Sequence, residues 1–224
     1  AKQMLTAVPR LGPAGDQDVE GKRLAIFSEQ GLGDSIQFIR FARDLTAAGA
    51  QVTAIVHAPL VSLFRSSRLA HAVVDIDTAL TPFDFACPLM SLPTLLGADL
   101  ESLARDRRYL QGDPAKTRSW QQRLGENQKS CRVGLAWSGN PKHDNDAQRS
   151  IALERLWQEA LEPFADGVEF FCLQKEMSAV DRTILSQLPI LDYSTEFHDF
   201  ETTAALCECL DLVVAVDTSV AHLC

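Results

Sequence analysis

The sequence has no long apolar run, no cluster of basic residues and no paired-cysteine motif, and each absence removes a class of function. No stretch approaches the ~18–20 consecutive apolar residues that cross a bilayer, and the first residues lack the charged-then-apolar pattern of a signal peptide. The reading is a soluble, cytoplasmic protein with no transmembrane segment. With 21 Lys and Arg against 30 Asp and Glu, the chain carries a net charge of −9. A nucleic-acid binder neutralises phosphates with a basic face, and none is found here. The densest basic stretch, Arg105 to Arg108, is broken by Asp106 and reads as a solvated helix end. The six cysteines, Cys87, Cys131, Cys172, Cys207, Cys209 and Cys224, include no Cys-x-x-Cys pair. Most sit in apolar surroundings, so they read as buried free thiols. Cys207 and Cys209, two apart on a helical pattern, point to different sides and make a poor chelate.

What is present is ordinary globular composition, 46% apolar and 23% charged over 224 residues, enough for one large or two small domains. Residues 1–21 hold scattered Pro, Gly and acids without periodicity and read as an irregular lead-in. Arg23 to Ser28 is a short apolar run, a buried strand. After a glycine-rich turn, Phe38, Phe41, Ala42 and Leu45 follow helical spacing, and Gly49 closes that helix. A strand over Gln51–Val56, a helix near Leu60–Phe64 and strands at Ala72–Ile76 and Phe83–Cys87 continue the alternation. This predicts βαβ units on a parallel sheet. Residues 114–130 are polar and are expected to connect, part as helix and part as linker, two domains spanning 22–113 and 131–224. The second restarts the pattern with a strand over Cys131–Trp137, a helix over Leu153–Leu161 and a strand over Val168–Leu173. Met177, Val180, Ile184 and Leu188 then trace a helix face, and Asp199 can cap a helix whose Phe200, Thr203, Ala204 and Cys207 face the core. Leu212–Val216 is continuous enough to predict a strand buried on both faces. Only a short helix start follows it, so the second domain is expected to be truncated at its C-terminus.

Three strand-to-loop transitions carry residues suited to chemistry. Gly31-Leu32-Gly33-Asp34 opens a helix, where unpaired N–H groups favour an anion or a close ligand; on spacing alone, a tight turn with Asp34 as a helix cap stands slightly ahead of a functional site. The dinucleotide fingerprint fails there, because its third glycine position is Ile36 and no acid ends the second strand. A Walker loop fails too, for want of Gly-Lys-Ser/Thr. Trp137 to Asp146 is a polar loop after the first strand of the second domain, which makes Lys142 and Arg149 candidate phosphate partners. His143, Asp144 and Asp146 lack the spacing of a metal site, and Asp75-Ile76-Asp77 is too short a match to a metal-binding motif, so no metal is expected. In Asp217-Thr218-Ser219 two hydroxyls stand at a helix start, placed either to donate to phosphate or to cap.

Together these motifs resemble the heptosyltransferase-like family 9 glycosyltransferases, in family order from about Gly21 to Cys224. The residues concerned are Gly31-Leu32-Gly33-Asp34-Ser35-Ile36-Gln37-Phe38, Gly134-Leu135-Ala136-Trp137-Ser138-Gly139-Asn140-Pro141, Arg149-Ser150-Ile151 and Ala215-Val216-Asp217-Thr218-Ser219-Val220-Ala221-His222. The branch they resemble occurs in bacterial tetratricopeptide-repeat proteins. The resemblance implies a GT-B fold of two Rossmann-like domains and an inverting, metal-independent transfer without cofactor. The sugar would pass from a nucleotide-diphosphate donor to a saccharide or protein hydroxyl. Carried over by motif, Asp34 is the general base, with Gly31, Gly33 and Gln37 in the acceptor-side loop. Ser138, Asn140, Lys142, Arg149, Asp217, Thr218, Ser219 and His222 fall on the donor side. No tetratricopeptide-like repeat of ~34 residues occurs within the chain, so any such region would belong to a longer parent. A catalytically silent binding module of the same fold is the alternative; a dinucleotide oxidoreductase is disfavoured by Ile36 and the missing acid.

Overall fold

A strand covered on both faces must be apolar along its covered length, and Arg23–Phe27 (β1) meets that demand after its exposed first residue: Leu24, Ala25 and Ile26 are fully buried. The computed structural model describes residues 5, 7–13, 18–79, 81–105, 108–126, 129, 131–140 and 146–224. They form two compact units, divided between Gln111 and Gly112.

In the first unit, β1 leads into helix α1 (Leu32–Phe38), a single tight turn and α2 (Ala42–Ala47). Phe41, Ala42 and Leu45 of the predicted apolar face are buried, Phe38 is half-buried, and Ile36 and Ile39 join the buried side. Gly49 ends this run with φ +86°, a backbone conformation that costs glycine little. Strand β2 (Gln51–Val56), helix α3 (Val61–Ser67), strand β3 (Ala72–Asp75), strand β4 (Phe85–Pro88) and the short helices α4 (Leu92–Leu95) and α5 (Leu100–Arg105) complete the unit. All pairings are parallel, in the order β3-β2-β1-β4. The lead-in is less loose than its composition suggests. Ala86 N–H donates to Pro9 and Leu11 N–H to Ala86, which covers the outer edge of β4, while Leu5 and Leu11 are buried.

The second unit repeats the arrangement. Helix α6 (Pro114–Leu124) precedes β5 (Cys131–Ala136), followed by α7 (Asp146–Arg149) and α8 (Leu153–Leu156), which runs on as a wider turn over Trp157–Leu161. Then come β6 (Val168–Cys172), α9 (Ala179–Leu185), β7 (Ile190–Asp192), α10 (Phe200–Cys207), β8 (Leu212–Ala215) and α11 (Ser219–Leu223). The strand order is β7-β6-β5-β8, again parallel. Trp137 and Phe171, both fully buried, anchor two apolar clusters of this unit.

Part of segment 114–130 is helix α6, in line with the expected mix of helix and linker, and it packs on α10: Lys116 Nζ donates to Glu201 at 2.6 Å, Thr117 Oγ1 to Glu208 at 2.8 Å, and Trp120 enters the core with Phe171 and Phe197. Two details depart from the sequence expectations. Around α9, Met177, Ile184 and Leu188 of the predicted face pack against the core, but Val180 is exposed and Leu185 is buried instead. Strand β8 is not buried on both faces, since it lies at the sheet edge with Leu212 54% and Val214 38% exposed.

Helix α10 forms where a side chain can supply the backbone's missing acceptor. Asp199 Oδ1 accepts both the backbone N–H and the hydroxyl of Thr202 at 2.8 Å. Asp199→Ala is expected to cost about 1 kcal/mol of stability, read as a lower urea midpoint at constant slope. An unchanged midpoint would show that the cap contributes nothing.

Candidate functional site

In an open parallel sheet, ligands bind beyond the carboxyl ends of the strands, where neighbouring connections leave in opposite directions. Both sheets have such a point, between β1 and β4 in the first unit and between β5 and β8 in the second. The residues singled out from sequence follow β1, β5 and β8.

After β1 the chain is fixed at several points before α1 begins. Ser28 N–H donates to Ile55 at 2.9 Å, and the buried hydroxyls of Ser28 and Ser35 lie 2.8 Å apart. Asp34 is half-buried in the first turn of α1, and one of its carboxylate oxygens accepts the Gly31 N–H at 3.1 Å. The turn-and-cap arrangement is therefore formed, and it also presents a carboxylate at the strand end. Gln37 sits one turn on, its carbonyl accepting Arg40 Nε at 2.9 Å. Arg40 in turn stacks 4.1 Å over the Tyr109 ring, whose hydroxyl donates to Ile36 at 3.0 Å. Tyr109, distant in sequence, thus locks the helix that carries Asp34.

The site after β5 and β8 is built around Arg149. The strands separate after the Ala136–Ala215 pair, and Ile151 N–H donates to the Trp137 carbonyl at 2.8 Å, closing the intervening loop at its base. Within it, Gly139 N–H donates to Ser150 Oγ at 2.9 Å, and Ser150 Oγ donates to Asp146 Oδ1 at 2.8 Å. The same carboxylate oxygen lies 3.4 Å from Arg149 Nε, while Arg149 Nη1 donates to the Asp217 carbonyl at 3.1 Å. The guanidinium is thereby tied to the ends of both strands, and its side chain is only 22% exposed. Its Nη2 makes no hydrogen bond among the described residues. Ser138 N–H is held by Gln174 Oε1 at 3.1 Å. A Cβ at Gly139 would lie 2.5 Å from Arg149 Nη2 and 2.6 Å from Asp146 Oδ1, so any side chain there displaces this pair.

Asp217 projects outward with its side chain 80% exposed, and His222 Nε2 lies 3.9 Å from its carboxylate. Thr218 precedes α11 in an extended conformation but makes no capping bond; its Oγ1 is buried without a partner among the described residues. Of the two roles open to it from sequence, capping is not the one it adopts. Ser219 begins the helix. Asn140 is exposed at the loop's start. Lys142, like His143 and Asp144, lies outside the described residues. Asp146 holds Arg149 and Ser150, and no group of three potential metal ligands exists among the described residues. Asp75 accepts the Asp77 N–H at 2.9 Å, a local turn.

Asp146, Ser150, Gln174 and Tyr109 are the residues that sequence reading passed over as parts of these sites. The i, i+3 and i, i+4 offsets from Asp146 to Arg149 and Ser150 were the available signal. Nothing local points to Tyr109.

With this geometry established, similarities to known proteins can be placed. No protein-family model matches the chain. Two Rossmann-like α/β units, each with a four-stranded parallel sheet, make up the fold, and solved glycosyltransferase structures share it. It is similar to the crystal structure of a glycosyl transferase family 9 protein from Veillonella parvula, with a TM-score of 0.65 and 11% identity, covering 92% of this chain and 78% of that one. It is also similar to the E. coli ADP-heptose LPS heptosyltransferase II, with a TM-score of 0.59 and 13% identity, covering 90% of this chain and 81% of that one. In sequence it is 25% identical over 234 residues to protein FlbA of Caulobacter vibrioides. That match covers 92% of this chain, which spans only 38% of the relative's length. No helix among the described residues is long and apolar enough to cross a membrane.

All six cysteines are free thiols, though only Cys87 and Cys172 are fully buried. Burial pushes both up to about 12, so at pH 8 roughly one ten-thousandth of each is thiolate. A hydrogen bond from Cys207 instead holds Cys224 below the usual thiol range. Brief alkylation at pH 8 is expected to label Cys224 and leave Cys87 and Cys172 untouched until denaturant is added. Peptide mapping that finds either buried thiol labelled first would contradict this packing.

Proposed function

We propose that the chain is a glycosyltransferase that moves a sugar from a nucleoside-diphosphate donor to an acceptor hydroxyl, with inversion and without a metal. The observation that carries this reading is the half-buried Arg149, fixed at the β5–β8 switch point by Asp146 and the Asp217 carbonyl with Nη2 left for a ligand. A guanidinium held rigid in this way offers planar, charge-assisted donors to a diphosphate. The fold it shares with family 9 structures supports the same assignment.

Displacing a diphosphate from an anomeric carbon builds positive charge on the sugar and negative charge on the leaving oxygens. Arg149 supplies preorganised donors for the second, together with Lys142 and the hydroxyls of Thr218 and Ser219. The Ser138 and Asn140 backbone, Asp217 and His222 border the same strand ends. Asp34 takes the acceptor proton, and its position in a fixed helix turn keeps the carboxylate oriented for general-base work. Gly31, Gly33 and Gln37 form the acceptor-side surface. A single in-line attack then inverts the anomeric centre. Because one structural neighbour is an ADP-heptose enzyme, ADP-sugars are the first donors to test. The acceptor is a saccharide or protein hydroxyl, and a tetratricopeptide-repeat region in a longer parent would present it.

Asp34→Asn keeps an oxygen to accept the Gly31 N–H but removes the base. It is expected to lower transfer 10²–10⁴-fold while leaving donor affinity within about two-fold, measured by product formation and calorimetry. Full turnover in that variant would remove Asp34 from the mechanism. Donor binding without any turnover in the parent protein would favour a silent binding module. Arg149→Ala and Gly139→Ala, the second acting by pushing the guanidinium aside, are each expected to weaken ADP binding about tenfold or more. Unchanged affinity in both would move the donor site elsewhere.

A further inference from the structure

A second basic site lies on the first unit, away from the residues assigned to transfer. It is a cavity of about 450 Å³ on the outer edge of β3, lined by Arg65, Arg68, His71, Ala72, Val73 and Val74 among others. Strand β2 separates it from β1 and hence from Asp34. Its lining contains two guanidiniums and no carboxylate, a local reversal of sign in a chain of net charge −9.

Each polar group is oriented by the fold. Arg65 donates through Nε and Nη2 to the Val73 carbonyl at 3.0 and 2.8 Å, which fixes its charge against the sheet edge. That carbonyl faces outward, and in a parallel strand the N–H of the same residue points the same way. Val73 therefore adds a backbone donor on the open side. His71 Nδ1 accepts the Val52 N–H at 3.3 Å, so the neutral ring carries its proton on Nε2 and offers a further donor. Arg68 follows the last turn of α3 with φ +53°, the sole non-glycine positive φ among the described residues. Glycine would adopt that conformation with less strain. An arginine retained there puts a second full positive charge beside the cavity. The carboxyl end of α3 contributes about half a negative charge, well short of the two positive ones.

We propose that Arg65, Arg68 and His71 form an anion site for a small phosphomonoester, with the phosphoryl group on the two guanidiniums and an apolar body against Ala72 and Val74, whose side chains share one face of the strand. The apolar lining and the cavity volume suit an organic phosphate better than a bare ion. The site is independent of the transferase reading.

Arg68→Gly makes a clean test, because it deletes the charge while relieving the backbone strain, so the variant is expected to fold at least as well as the parent. Phenyl phosphate is titrated into the whole chain, with sodium chloride at matched ionic strength as the control. Saturable binding by calorimetry, with a rise in melting temperature, is expected for the parent and for Arg149→Ala. At least a tenfold loss of affinity is expected for Arg68→Gly. The proposal is overturned if Arg68→Gly binds as tightly as the parent, if Arg149→Ala is the variant that loses binding, or if phenyl phosphate does no more than chloride.

Discussion

The dominant constraint is that a parallel sheet covered on both faces has no room for polar side chains except at its ends and edges. Leu24, Ala25 and Ile26 in β1, and Val133, Leu135 and Ala136 in β5, are buried because helices lie on both sides of their sheets. Polar groups are therefore driven to the turns after these strands, where loop backbone reaches solvent and unpaired N–H groups remain. Asp34, Ser138, Arg149 and Asp217 all lie in such places. Their clustering follows from the architecture before any chemistry is invoked.

Within that constraint the two units reach different electrostatic solutions. The first ends its central strand in buried serine hydroxyls and a carboxylate that accepts a backbone N–H. The second ends its own in a carboxylate that grips a guanidinium, with the guanidinium in turn gripping the neighbouring strand's exit. A lone arginine at 22% exposure would be costly to desolvate; Asp146 offsets that cost and removes much of the side chain's rotational freedom. The overall charge of −9 makes such local arrangement necessary for any anionic ligand, because the long-range field opposes its approach.

Much of the fold was legible in the sequence because helices and buried strands leave periodic signatures. The apolar face over Phe38 to Leu45, the Gly49 stop and the Asp199 cap are all local features. What was not legible depends on contacts far apart along the chain. Arg149 meets Asp217 across 68 residues, and Tyr109 meets Ile36 across 73. A helix within segment 114–130 could be expected from sequence, but not its docking on α10 through Lys116 and Thr117, nor the entry of Trp120 into the core. Leu212–Val216 looked doubly buried because its composition suits a central strand, whereas its position at the sheet edge follows from strand order. The residue types of the donor-side site could be named from sequence. The hierarchy among them, with Asp146 as the hub, could not.

Each unit uses the same strand order, and each closes its own apolar core. The loops of each unit are therefore supported by that unit's own core. Under the proposed reading, the half that chooses the acceptor and the half that chooses the donor are free to diversify on separate evolutionary schedules, so that one scaffold can explore new pairings without first surviving an unstable intermediate.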